Sequence, residues 1–252
     1  LWMEYAIGTV FACSYLKQSR QTMGSYLMRV AVCISGQPRS AVEAYPWIYG
    51  NVIEPNQADV FLHMNYSKTN PLIEKTHVGK GQCMLEPDTD QKVIELYRPV
   101  AYQVEEPKDF FNPHLRLTPS RMERMMKTNT HRTWTEDEHR QYHIRQLMSM
   151  YYSIFKCNEL KETYANKNHF VYDYVVRIRF DAKPQQGLLC SEYDPNYLYY
   201  QNLDQPDGLV SDWINFGSNA IMNVYSSMYF MMEYLNTFQY YKKEDREANT
   251  YE

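Results

Sequence analysis

Several patterns that would assign chemistry outright are missing from this 252-residue chain. Its five cysteines, Cys13, Cys33, Cys83, Cys157 and Cys190, form no C-x-x-C pair and have no histidine spacing suited to zinc. An odd number of widely separated cysteines favours free thiols in a reducing compartment, so a cytoplasmic location is expected. The seven histidines include no H-E-x-x-H. His139 and His143 are four apart, but Arg140 follows the first of them, which excludes a zincin site. Residues 5–16 are apolar yet too short to cross a bilayer, and they contain Thr9 and Ser14, so no integral membrane span is expected. No basic stretch precedes that segment and no clean small-residue cleavage site follows it, as a secretory signal would require. No basic stripe offsets the net charge of −4, which argues against a nucleic-acid binder. Neither G-x-x-x-x-G-K-[ST] nor G-x-G-x-x-G occurs, and there is no internal repeat, coiled coil or low-complexity tract.

What is present reads as an ordinary globular protein. Hydrophobic residues make up 44% and charged residues 22%, which excludes a disordered chain. Tyrosine is abundant at 24 residues; such side chains suit amphipathic or sugar-lined clefts, but most of them are expected in the core. Residues 1–27 read as an N-terminal extension or leader, 28–241 as one α/β domain and 242–252 as a polar tail, with the native protein expected to continue beyond it.

The stretch FVYDYVVRIRFDAK, residues 170–183, organises the rest. Tyr172, Tyr174, Val176, Ile178 and Phe180 alternate along an expected strand, which places Arg177, Arg179 and Asp181 on its other face. Charges at alternate positions near a strand's carboxyl end are costly to bury unless paired. Such ends are also where open α/β sheets bind ligands. Two readings follow: a site for an anion, with or without a metal ion, or an internal ion pair between Asp181 and one of the arginines.

MRVAVCIS, residues 28–35, is a continuous apolar run of the kind found in a buried central strand. It ends in Ser35, Gly36, Gln37, Pro38, Arg39 and Ser40. Gly36 permits a sharp turn, Ser40 is a candidate cap for a helix over 41–54 interrupted near Pro46, and Arg39 beside exposed backbone N–H groups makes an anion cradle. A second buried strand is expected at 58–64, implying a right-handed parallel crossover, and a third at 100–104. Residues 65–90 read as a long surface loop with room for one short helix, and 112–133 as a solvated basic loop with a short helix or, alternatively, a phosphate-contacting flap. Thr135 and Glu138 form a capping box before a long helix, whose expected core face is Ile144, Leu147, Met148, Tyr151, Phe155, Leu160 and Tyr164. Short strands are expected at 197–201 and 208–210. An aromatic turn carrying Asp212 then leads to a helix over 219–238 capped by Ser218.

Taken in order, the blocks RVAVCISGQPRS, ADVFLHMN, YRPVAYQVEEPKDF, RQLMSMYYSIFKCNELKE, YDYVVRIRFD and SDWINFGSNAIMNVY resemble a glycosyltransferase family of large algal DNA viruses and bacterial polysaccharide loci. The resemblance implies a GT-A-like α/β domain with a mixed, mostly parallel central sheet flanked by helices. It also implies transfer of a sugar from a nucleotide-diphosphate donor to a glycan or glycoprotein hydroxyl. By position, Ser35, Gly36, Gln37 and Arg39 would hold the nucleotide, and residues 177–181 would replace the metal-binding D-x-D. Arg179 stands where its first aspartate belongs, so Mn2+ or Mg2+ would have Asp181 alone from this motif. Alternatively Arg177 and Arg179 neutralise the diphosphate directly and no metal is needed.

Glycosyl transfer needs the charge on the leaving diphosphate stabilised and, in an inverting enzyme, a base for the acceptor hydroxyl. Asp212 is the candidate base. A nucleotidyl-transfer enzyme would need a second acid near Asp181 or a glycine-rich loop with lysine, and neither occurs in the sequence. A non-catalytic carbohydrate- or nucleotide-binding protein of the same fold is the remaining alternative.

Overall fold

A computed structural model describes residues 28–70, 72–74, 82–110, 135–201 and 211–232. The centre is β1, Val30–Gly36, whose residues up to Ser35 are all buried. β1 lies parallel between β2, Asp59–Asn65, and β6, Tyr174–Ile178, with Cys33 opposite both Phe61 and Arg177. β5, Ala101–Glu105, extends the parallel sheet beyond β2. On the other side β8, Ile214–Ser218, runs antiparallel to β6, and β7, Tyr199–Tyr200, antiparallel to β8. The order β5-β2-β1-β6-β8-β7 is thus a six-stranded mixed sheet with a parallel core.

Both faces of the central strands are covered, which is why they read as unbroken apolar runs. Val32, Ile34, Leu62, Met64, Val176 and Ile178 pack with Ala44 and Ile48 of α1, Ala41–Ile48, and with Val93 and Tyr97 of α2, Thr89–Tyr97. On the opposite face Ala31, Cys33, Phe61 and Val175 meet Cys157 and Ala165 of α3, Glu136–Lys167, and Met222 of α4, Asn219–Ser226. Each fully buried side chain of this size contributes roughly 1.5–3 kcal/mol.

The capping box forms as its spacing requires: Thr135 Oγ1 accepts from the Glu138 N–H at 3.3 Å, and Glu138 Oε2 accepts from the Thr135 N–H at 2.7 Å. The buried stripe of α3 differs from the expected one. It comprises His139, Ile144, Ser153, Ile154, Cys157, Lys161 and Ala165, while Leu147, Met148, Tyr151 and Phe155 are only half-buried. A helix of 32 residues crosses surfaces of different polarity, so one apolar periodicity does not describe its length.

Other expectations need correction. The first helix is continuous through Pro46 and distorts later, into a π-turn at Tyr49–Ile53. Ser40 and Ser218 occupy cap positions, but neither side chain makes a cap hydrogen bond; Ser40 is left-handed at φ 52°. The supposed loop over 65–90 contains a two-stranded antiparallel hairpin, β3 Leu72–Glu74 with β4 Gln82–Met84, and leads into α2. The aromatic stretch after Asp212 is strand β8 and not a turn. Tyr172 lies outside β6 and packs with Phe61 on the α3 face, opposite to Tyr174. The basic loop over 112–133 and the strand over 208–210 fall outside the described residues.

Candidate functional site

The sheet's parallel strands deliver their last residues to one edge, and two polar groupings form there. The first joins the loop after β1 to the loop after β6. Past Ile178 the chain leaves the sheet, and Ala182 N–H bonds the Arg179 carbonyl in a turn, so Phe180 enters the core while Arg179 and Asp181 stay at its rim. Arg179 holds Asp181 with two hydrogen bonds, Nε to Oδ1 at 2.8 Å and a terminal nitrogen to Oδ2 at 2.7 Å. Arg39 Nε reaches the same Oδ2 at 3.0 Å across 142 residues of sequence. The other terminal nitrogen of Arg179 donates to Asp212 Oδ2 at 3.0 Å, and its guanidinium carbon lies 5.1 Å from the centre of the Trp213 ring.

This network is partly open to water: the side chains of Arg179, Arg39, Asp181 and Asp212 are 13%, 18%, 21% and 34% exposed. Burial alone would push the Asp181 carboxyl up, but hydrogen bonds and charge from Arg179, then Arg39, outweigh it and hold the group below its ordinary value. Burial likewise works against the charged form of Arg179. Asp181 and Asp212 overcome it and raise its pKa, so the guanidinium stays charged. Of the two sequence readings for this strand end, the Arg179–Asp181 ion pair is therefore present.

The cation reading fits these residues poorly. Both oxygens of Asp181 are engaged by guanidinium groups, and among the described residues no three His, Cys, Asp or Glu side chains come together. A divalent ion would have to displace an arginine and then sit beside it.

The second grouping faces α3. Two residues along from Cys33, Phe61 and Val175, the same sheet face carries Ser35, His63 and Arg177, with Asn65, Glu105 and Asn215 on the strands around them. Arg177 therefore does not join the rim network directly: it is 3% exposed and donates to the backbone carbonyl of Asp212. Gly36 ends β1 at φ 122°, a conformation that only glycine takes readily, and Gln37 beside it is exposed.

α3 is polar where it crosses this row. Asn65 Nδ2 donates to Ser153 Oγ at 2.7 Å and to Ser149 Oγ at 3.3 Å, and the Tyr152 hydroxyl donates to Glu105 Oε2 at 2.9 Å. Glu105 is further held by Lys108 at 3.0 Å. Burial favours a neutral Glu105, but the Lys108 and Tyr152 hydrogen bonds prevail and lower its pKa. His63 is fully buried, which drives its pKa down to about 4 against the pull of Glu105 3.7 Å away, so it is uncharged at neutral pH.

The sequence reading missed His63, Asn65, Glu105 and Asn215. The signal was present: in ADVFLHMN the polar residues His63 and Asn65 alternate at a strand's carboxyl end, the pattern noticed at Arg177 and Arg179.

Fold and site together define an α/β protein with a mixed, mostly parallel sheet and charged groupings at the carboxyl ends of its parallel strands. No family model, curated sequence or solved structure matches the chain.

Proposed function

We propose that this protein is a GT-A-like glycosyltransferase that moves a sugar from a nucleotide-diphosphate donor to a glycan hydroxyl. The carrying observation is that Arg39 and Arg179, from the loops after two adjacent parallel strands, meet at a partly exposed carboxyl edge of the sheet. Two fixed guanidinium groups there suit the charge that grows on a departing diphosphate. Asp181 holds both arginines in place between substrate encounters. No step is assigned to a metal ion, because the only carboxylate of the D-x-D position is already engaged by arginine.

In this reading Asp212 takes the proton from the acceptor hydroxyl. Its second oxygen, Oδ1, is not the one bound by Arg179, and its side chain is the most exposed of the four. Trp213, beside Arg179, offers an apolar face to a base or sugar ring.

Calorimetry with a panel of UDP- and GDP-sugars, with and without Mn2+, tests the proposal. Binding followed by slow donor hydrolysis without added metal supports it; absence of affinity for every nucleotide sugar refutes it. One observation favours the non-catalytic alternative, namely that Asp181 and Asp212 are both bound by arginine, which occupies carboxylate oxygens that a reacting hydroxyl would need to reach. Binding with neither hydrolysis nor transfer to any acceptor would select that alternative.

A further inference from the structure

We propose that Arg177, Asn215 and Tyr225 are positioning residues, a buried polar relay that sets where the Asp212 carboxylate stands. This deepens the transferase reading and rests on it for the role of Asp212 as the base, while the hold on the segment around Asp212 is a matter of geometry alone.

Asp212 lies on the short segment that enters β8, whose first residue is Ile214. Three successive carbonyls of this segment are each held. That of Trp213 accepts the Arg179 N–H at 3.1 Å, which continues the pairing of β6 with β8. The two before it lie past that pairing and are held by side chains: Asn215 Nδ2 donates to the Ser211 carbonyl at 2.8 Å, and Arg177 donates to the Asp212 carbonyl. The backbone is thus tied on both sides of the Asp212 Cα, and Arg179 holds Oδ2 of its side chain at 3.0 Å. A general base must stand within hydrogen-bond reach of the proton it takes, and a misplacement of about 1 Å costs about a hundredfold in rate.

The two side-chain donors are buried and their direction is fixed. Arg177 and Asn215 are directly opposed on β6 and β8, at 3% and 0% exposure. Tyr225 of α4 packs on the α3 face of the sheet, and its hydroxyl donates to Asn215 Oδ1 at 3.0 Å. With its oxygen engaged there, the Asn215 amide presents Nδ2 to the Ser211 carbonyl. The Arg177 charge beside the Tyr225 hydroxyl counteracts the burial that pushes this phenol up to about 12, and it favours the hydroxyl proton on the side of Asn215. Donation therefore runs one way, from α4 through Asn215 to the segment that carries Asp212. Tyr225 has a firm base, because the fully buried Lys161 of α3 binds Asn219 and, at 3.0 Å, Asn223 of the same helix α4. Apolar residues would fill positions 177 and 215 without the cost of burying polar groups. A polar set directed at two consecutive carbonyls instead selects one conformation of the segment.

The test is hydrogen exchange at the Arg179 and Trp213 amides, with transfer kinetics, on the full chain as wild type, Tyr225→Phe and Asn215→Leu. Both are measured at a temperature where thermal unfolding shows each variant folded; Tyr225→Phe removes one hydroxyl and leaves the ring's packing. Exchange at these amides, which bond the Trp213 carbonyl and Ser211 Oγ, is expected to quicken about tenfold, the range for one hydrogen bond. kcat is expected to fall about tenfold in Tyr225→Phe and about a hundredfold in Asn215→Leu. KM for the nucleotide sugar should stay unchanged, because Arg39 and Arg179 are untouched. Unaltered exchange in both variants, or a loss that appears in KM and not in kcat, overturns the proposal. If exchange responds as expected but wild type transfers sugar from no nucleotide donor, the positioning of the Asp212 segment stands and the transferase reading falls. If wild type transfers sugar and Asp212→Asn does not, yet Tyr225→Phe and Asn215→Leu keep the wild-type kcat, the transferase reading stands and this inference falls.

Discussion

Replacing Asp181 by asparagine separates two roles for the same carboxylate. The substitution keeps the side chain's shape but removes a charge shared by Arg39 and Arg179. Exposed ion pairs contribute about 0–1 kcal/mol, and breaking fully buried ones costs about 3–5. Asp181 lies between these limits at 21% exposure, with a two-point contact to Arg179 and a single one to Arg39, so a loss of about 2 kcal/mol is expected. For a chain of this size that corresponds to a melting temperature lower by roughly 4–8 °C.

The pH dependence has a definite sign. The folded pKa of Asp181 is depressed, so its contribution is complete above the unfolded value of about 3.9 and is lost as pH falls through the folded value. The difference between wild type and Asp181→Asn in urea unfolding should therefore be constant near neutrality and shrink below about pH 4. Ligand binding should change the opposite way from stability. With their carboxylate gone, Arg39 and Arg179 attract an anion more strongly, and even a third of the roughly 4 kcal/mol between unit charges 4 Å apart near a protein surface is a tenfold gain. Calorimetry with UDP or pyrophosphate should show that gain. Weaker binding in Asp181→Asn, or binding that needs Mn2+ in wild type and loses that requirement in the variant, would refute the counter-ion role and restore the carboxylate as a metal ligand.

Further outcomes follow from the same geometry. Asp212→Asn should fold normally and bind donor, yet lose acceptor-dependent turnover by two orders of magnitude or more in a transfer assay; full turnover would remove Asp212 as the base. Gly36→Ala forces a side chain onto φ 122° with open space around it, so urea unfolding should show a backbone cost of about 1–3 kcal/mol, with no contribution from a clash. Ile34→Ala, at the centre of the sheet and fully buried, should cost about 2–5 kcal/mol in the same experiment.

How far these features were legible depends on whether their cause is local. β1 and β2 were visible because a strand covered on both faces must be apolar throughout, and the capping box because its two partners are three residues apart. α2 was missed: of the apolar residues in TDQKVIELY only Val93 and Tyr97 are buried, with Ile94 and Leu96 half-buried against the core, and Asp88 at its cap position makes no side-chain cap bond. β8 was hidden by Asn215 and Gly217. These residues are tolerated there because Asn215 donates to the Ser211 carbonyl and accepts from Tyr225, and because a Cβ at position 217 would come within 2.8 Å of the Tyr197 carbonyl.

The site shows the same division more sharply. Residues 177, 179 and 181 share a parity, so alternation alone assigns them to one face and one environment. In the fold, β6 ends at Ile178, and the turn that follows breaks the alternation between Arg177 and Arg179. Arg177 is thereby left under α3 with no carboxylate paired to it among the described residues, while Arg179 reaches the rim and takes two carboxylates. A single residue's difference in where the strand stops thus separates an arginine bound to two carboxylates from one that, among the described residues, is bound to a backbone carbonyl. Shifting that end should exchange their roles: a proline at Arg179, which removes the N–H that bonds the Trp213 carbonyl, should loosen β8 from β6 and expose Arg177. Faster hydrogen exchange at Asn215 and Phe216 in Arg179→Pro than in Arg179→Ala would show that this backbone bond, and not the side chain's ion pairs, fixes the boundary; equal exchange in the two variants would show the reverse.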